Sequence, residues 1–157
     1  MNFEFATASK IIFGKGSAAH LSELMKGAGK HPLVLLGTQK TGEALVDAVP
    51  DLEGVEKVII NGEPLLNSLI ETLEYARSKK CDSVIAIGGG SVIDTGKAVS
   101  CLLTNPGDIL DYVEVVGKNQ PLKNKGVPLF ALPTTAGTGA EVTRNAVINI
   151  PEKQQKV

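Results

Sequence analysis

The chain has 157 residues, of which 43% are hydrophobic and 21% charged, and its formal net charge at pH 7 is −1. That length suits one domain able to bury roughly 70% of its unfolded surface. The near-neutral balance excludes a general nucleic-acid or polyanion binder, which carries a basic excess. The longest apolar runs, residues 33–36 and 84–87, fall far short of the ~20 residues a membrane helix needs. No basic-then-apolar leader follows Met1, so the expected location is the cytoplasm.

Taken in chain order, the apolar periodicity alternates between strand and helix. Residues 10–13 predict a short strand ending at Gly14-Lys15-Gly16. Ser17 then offers an N-cap for a helix with Leu21, Leu24, Met25 and Ala28 inward, closed by Gly29. Residues 33–36 predict a buried strand. A helix over 42–49 follows, with Ala44, Leu45, Ala48 and Val49 on one face and Pro50 as its stop. Residues 57–60 form the next strand. Residues 67–80 give the clearest amphipathic helix, facing Leu69, Ile70, Leu73 and Ala76 inward.

Residues 83–87 are apolar without alternation, as in a strand covered on both faces. A helix is expected over 92–103, ended by Asn105-Pro106-Gly107. Residues 108–125 lack a clean period and read as a long connection with one helical turn at 109–112. Strands follow at 127–132 and 145–150. Such alternation predicts an α/β fold: a doubly wound, mainly parallel sheet with helices on both faces. No linker or internal repeat divides it.

Cys81 and Cys101 form no paired-cysteine motif and read as reduced thiols. His20 and His31 sit in no histidine pair of metal-binding spacing, so the chain alone offers no metal site.

Two runs carry chemistry. The first is Gly88-Gly89-Gly90-Ser91-Val92-Ile93-Asp94-Thr95-Gly96-Lys97, at the junction of a predicted strand and helix. It is neither the common dinucleotide fingerprint, which would need glycine at Ile93, nor a Walker A loop. Free N–H groups and the positive end of a helix dipole there suit a phosphate, and the glycines permit close approach and positive φ. The alternative is a variant capping box between Ser91 and Asp94, contributing about 1 kcal/mol and no chemistry. The second run is Pro133-Thr134-Thr135-Ala136-Gly137-Thr138-Gly139-Ala140-Glu141-Val142-Thr143. Its hydroxyls suit a polar ligand, or a loop satisfied by its own backbone.

Together with Ile12-Phe13-Gly14-Lys15-Gly16 and Ala146-Val147-Ile148, these runs resemble the iron-containing (group III) alcohol dehydrogenase family over essentially the whole chain. The resemblance implies an N-terminal nucleotide domain paired with a C-terminal helical domain. It also implies hydride transfer between NAD or NADP and an alcohol/aldehyde pair, with iron or zinc as metal. The cofactor contacts it implies are Thr38, Gly89, Gly90, Ser91, Asp94, Thr134, Thr135, Thr138, Thr143, Asn145 and Lys156. NAD-preferring members place an aspartate after the strand equivalent to 33–36. Gly37-Thr38-Gln39-Lys40 stands there instead, which favours NADP. Pro64-Leu65-Leu66 replaces the family's Pro-Asn-Pro.

The family's metal ligands, an aspartate and three histidines, come from its helical half and have no counterpart here. Residues 1–157 are thus expected to be the NAD(P)-binding domain, cut before its final strand, inactive alone and homo-oligomeric. A free-standing nucleotide-binding or interaction module is one rival reading. A glycerol dehydrogenase or dehydroquinate synthase relative is another, against which the threonine run speaks.

Overall fold

In a computed structural model, described for Phe3 and residues 7–38, 40–47 and 49–157, four parallel strands form one sheet. They are β1 (Pro32–Gly37), β2 (Glu56–Ile60), β3 (Ser83–Gly88) and β4 (Leu129–Pro133), in the order β2-β1-β3-β4. Leu33 pairs with Glu56 on one side and Val84 on the other, and Val84 in turn with Leu129. The helices are α1 (Leu21–Met25), α2 (Lys40–Asp47), α3 (Leu66–Ser78), α4 (Gly90–Thr104) and α5 (Ile109–Tyr112).

The unbroken apolar runs of β1 and β3 follow from burial on both faces. Leu33, Leu35, Val84 and Ala86 pack with Leu69, Leu73, Val92 and Val99 of α3 and α4. Their alternates Val34, Leu36, Ile85 and Ile87 pack with Leu21, Val46, Val49 and Leu52 on the opposite face. This is the expected doubly wound α/β arrangement. The winding reverses between β1 and β3, and in open α/β sheets that reversal opens a crevice at the carboxyl ends of the strands.

Two glycines let α4 lie close to the sheet. A Cβ on Gly88 would come within 2.7 Å of Val92 Cβ, and one on Gly96 within 2.8 Å of Ala86 Cβ. At the other end of the sheet the Asp82 carboxylate accepts from the N–H groups of Lys30 and His31 at 2.9–3.0 Å. Burial alone would raise its pKa. That is the largest single influence, but the N–H bonds from Lys30 and His31, the charge of His31 and Asp82's own N–H together hold the carboxyl below the usual aspartate value.

Several expectations need correction. Residues 10–13 form no strand, and Phe13 is 100% exposed; no sheet position is offered to that segment. The helix expected from Ser17 is a 3-10 turn (Ser17–His20) followed by the five residues of α1. Only Leu21 of it is buried. Gly29 lies beyond that helix, where a side chain would collide with Asp82. In α2 Gly42 and Val46 are buried, while Ala44 is exposed; Ala48 lies outside the described residues. Strand β4 begins two residues later than predicted because Val127 bonds to Ser100 of α4, N–H to carbonyl at 3.0 Å. The last expected strand shrinks to β5 (Asn149–Ile150), paired antiparallel with β6 (Gln155–Lys156) outside the parallel sheet.

The long connection after α4 is held by Asn105, 1% exposed. Its Oδ1 accepts from the N–H groups of Lys123 and Asn124, each at 2.9 Å. Its Nδ2 donates to the carbonyls of Cys101 and Asn124. A buried amide with all its hydrogen-bonding capacity engaged fixes a segment that has little regular structure.

Candidate nucleotide site at the strand ends

The turn from β3 into α4 lies at the crevice. Gly89 is the N-cap of α4, extended at φ −78°, and makes no side-chain cap. None of Gly88, Gly89 and Gly90 takes positive φ. The glycines are thus needed for close approach rather than for left-handed backbone. The Ser91–Asp94 capping box does not form either; among the described residues such a box is made by Asp108 and Asp111 at the start of α5. The carbonyl of Gly89 accepts from Val92 and Ile93. The N–H groups of Gly90 and Ser91 have no acceptor among the described residues. They lie at the positive end of a 15-residue helix.

The threonine run folds over these glycines. Thr134 N–H bonds to the Gly88 carbonyl at 2.9 Å. A Cβ on Gly89 would stand 3.4 Å from Thr135 Oγ1, and one on Gly90 would stand 3.3 Å from Thr138 Cγ2. Thr138 Oγ1 accepts weakly from Ala140 N–H at 3.4 Å, and Thr143 Oγ1 donates to the Ala140 carbonyl at 3.4 Å. The hydroxyls of Thr134 and Thr135 have no protein partner among the described residues. The loop therefore satisfies only part of its hydroxyl capacity internally.

Gly90 and Ser91 separate two cavities. The smaller, about 160 Å3, lies over the ends of β1 and β3 and is lined by Gly37, Thr38, Gly89, Thr134 and Thr135, among others. No acidic side chain lines it among the described residues. Gln39 and the Lys40 side chain lie outside the described part. The larger, about 830 Å3, takes in Asp94, Thr138, Thr143, Asn145 and Lys156. The residues singled out in the sequence thus line two adjoining cavities. Among the described residues no three His, Cys, Asp or Glu side chains converge as a metal site, and no helix is long and apolar enough to cross a membrane.

Two lysine ties hold the larger cleft together. Lys97 Nζ lies 2.8 Å from Asp94 Oδ1, with the two side chains only 11% and 13% exposed. The same ammonium donates to Thr143 Oγ1 at 3.2 Å and to the carbonyls of Thr143 and Asn145. It therefore joins the glycine motif to the threonine motif. Lys156 Nζ meets Glu63 Oε1 at 2.6 Å, and Asn149 Nδ2 donates to Glu63 Oε2 at 3.0 Å. The Lys156 hydrogen bond and charge are the chief reasons that the Glu63 pKa is lowered.

In the sequence, Lys97 stands out only as part of the glycine motif. Its spacing of three from Asp94 put both on one helix face and could have revealed the pair. Glu63 and Arg144, which also line the cleft, carried no comparable signal.

An open parallel sheet with a crevice at its winding reversal, a glycine turn and an uncapped helix start define a doubly wound, Rossmann-like α/β protein. The chain belongs to the iron-containing alcohol dehydrogenase family, whose model matches residues 8–157. It is 38% identical over 159 aligned residues to a mitochondrial hydroxyacid-oxoacid transhydrogenase of Caenorhabditis elegans, covering 94% of this chain and 34% of the relative. An NADH-dependent butanol dehydrogenase A from Thermotoga maritima superposes with a TM-score of 0.80 at 32% identity, covering 99% of this chain and 40% of that one. A sulfoacetaldehyde reductase from Bifidobacterium kashiwanohense, solved in complex with NAD+, gives 0.80 at 30% identity over 100% of this chain and 42% of that one. The chain thus spans about a third of the curated relative (34%) and about two-fifths of the solved structures (40% and 42%).

Proposed function

We propose that this chain is the cofactor-holding part of a metal-dependent alcohol dehydrogenase that interconverts an alcohol and its aldehyde or ketone. The observation that carries the reading is the pair of acceptor-free N–H groups at Gly90 and Ser91, in a glycine turn over which Thr135 and Thr138 close. Dipole and donors together favour a pyrophosphate. A nicotinamide dinucleotide held at Gly89, Gly90 and Ser91 would supply a hydride acceptor for the alcohol carbon.

The chain's own residues orient that cofactor. Gly37 and Thr38, where β1 ends, receive the adenine-side ribose. Thr134 and Thr135 offer hydroxyls over the glycine turn. Thr138, Thr143, Asn145 and Lys156 line the larger cleft, where the reacting end would lie. Asp94 acts there through its ion pair with Lys97 rather than as a free carboxylate.

The lack of an acid among the described residues of the smaller cavity supports NADP over NAD, because none of their side chains repels a 2′-phosphate. The three relatives act by name on a hydroxyacid, on butanol and on sulfoacetaldehyde; the shared chemistry is an alcohol/carbonyl pair. Iron or zinc, and turnover itself, fall in this reading to a helical partner domain. Titration of the chain with NADPH and NADH, followed by the amide resonances of Gly89–Ser91, tests it. NADPH should bind more tightly, and Thr38→Asp should reverse the order. Binding of neither nucleotide would overturn the reading.

A further inference from the structure

The charged groups of the 830 Å3 cleft are unevenly paired. Its lining contains Glu63, Asp94, Arg144 and Lys156. Glu63 is held by Lys156 at 2.6 Å and Asp94 by Lys97 at 2.8 Å. Both carboxylates are therefore neutralised from within the chain. Arg144 has neither an ion pair nor a hydrogen bond to any described residue. Glu141, three residues before it, is not in the lining, and its buried Oε2 has no hydrogen-bond partner. Counted with its lysine partners, the cleft carries one uncompensated positive charge among the described residues, on a guanidinium.

From this we infer that Arg144 recognises the carboxylate of a short hydroxy- or oxo-acid substrate, and so sets substrate class for the reaction proposed above. A guanidinium presents a planar fork of donors that meets a carboxylate in two parallel hydrogen bonds. The wall beside it is apolar, with Pro64, Ala140, Val142 and Val147. That suits a few methylenes between the anion and the reacting carbon. A cleft of this volume lies in the range that holds a nicotinamide end together with a small substrate. The inference rests on the proposed function only for what happens at the far end of the substrate; anion capture at Arg144 stands apart from it.

The test uses the chain with and without NADH. It follows the amide resonances of residues 138–147 and the side-chain N–H of Arg144. The anionic probe is 4-hydroxybutyrate and the neutral probe of similar length is pentan-1-ol. The wild-type chain should bind the anion more tightly than the alcohol, by about tenfold, the scale of one charge-assisted pair. Arg144→Ala should remove that advantage while changing pentanol and NADH affinity by less than about twofold, since an exposed side chain is removed without loss of packing. Arg144→Lys should restore part of it, as a point charge without the fork. Unchanged hydroxybutyrate affinity in Arg144→Ala, or no binding of the anion by the wild type, would overturn the inference. An equal loss for NADH would also overturn it, by assigning Arg144 to the cofactor's phosphates. If neither NADPH nor NADH binds while the anion still binds through Arg144, the cofactor reading falls and the anion site remains.

Discussion

Replacing Lys97 with methionine would cut the tie between the two motifs. The ammonium of Lys97 engages Asp94 at 2.8 Å, the Thr143 hydroxyl at 3.2 Å, and the carbonyls of Thr143 and Asn145. Methionine keeps most of the stem's packing and removes the charge. Breaking a fully buried ion pair costs about 3–5 kcal/mol, mostly from the charge left behind. Here Asp94 retains 13% exposure and the loop carbonyls can turn to water, so about 2–4 kcal/mol is expected. Total stability of a domain this size is of order 5–15 kcal/mol, so the variant should remain folded.

Urea unfolding measures the loss, and amide exchange locates it. Val142, whose N–H bonds to the Gly139 carbonyl at 3.1 Å, should exchange faster, while the amides of β1 and β3 keep their relative protection. The double variant Asp94→Asn/Lys97→Met should recover about 1–2 kcal/mol relative to Lys97→Met alone, because no orphan charge remains. A cost below about 0.5 kcal/mol, or no recovery in the double variant, would show that the pair is as weak as a surface contact and that the clamp argument is wrong.

The glycines of the turn should separate fold from binding. Gly88→Ala is expected to destabilise by about 1–3 kcal/mol through overlap with Val92. Gly90→Val should leave α4 folded, as circular dichroism would report, but abolish nucleotide binding; retained affinity would return the turn to a purely structural role. For Asp82, the lowered pKa means that its contribution is fully present above the ordinary aspartate value near 3.8 and is lost as pH falls through the depressed folded value. Asp82→Asn should therefore be less stable than wild type at pH 7. The gap should close in acid, below both values, as urea midpoints across pH would show.

What could be read in the sequence was whatever a period or a spacing encodes. Strands β1 and β3 announced themselves because residues buried on both faces must be apolar at every position. The helical turn at Ile109–Tyr112 and the end of α4 at Asn105 were legible from turn chemistry. Residues 10–13 misled because Ile11, Ile12 and Phe13 are apolar yet exposed, and propensity cannot tell which sheet edge is available. The final strand misled in the opposite way. Asn149 bonds to the Pro64 carbonyl and β5 pairs with β6, a set of partners fixed only by tertiary packing. At the site, both motifs were visible as runs of glycine and threonine. Their mutual placement depends on Lys97, and the charge on the cleft depends on Glu63 being spent on Lys156. Beyond the three-residue spacing of Asp94 and Lys97, both dependences join segments far apart in the chain.

Strand order also constrains how the chain comes off the ribosome. β1 is flanked by β2 and β3, both of which follow it in sequence, so its second edge stays open until Gly88 has emerged. Translation at ~5–20 residues per second puts about fifty residues, and therefore roughly 3–10 s, between the end of β1 and the end of β3. For that interval Leu33–Leu36, which is buried in the finished protein, presents an apolar strand with an unsatisfied edge. Pairing between segments so far apart is slow to form. Nascent chains crowded on one message would be most prone to cross-pair through β1, and a holding chaperone would find its first target there.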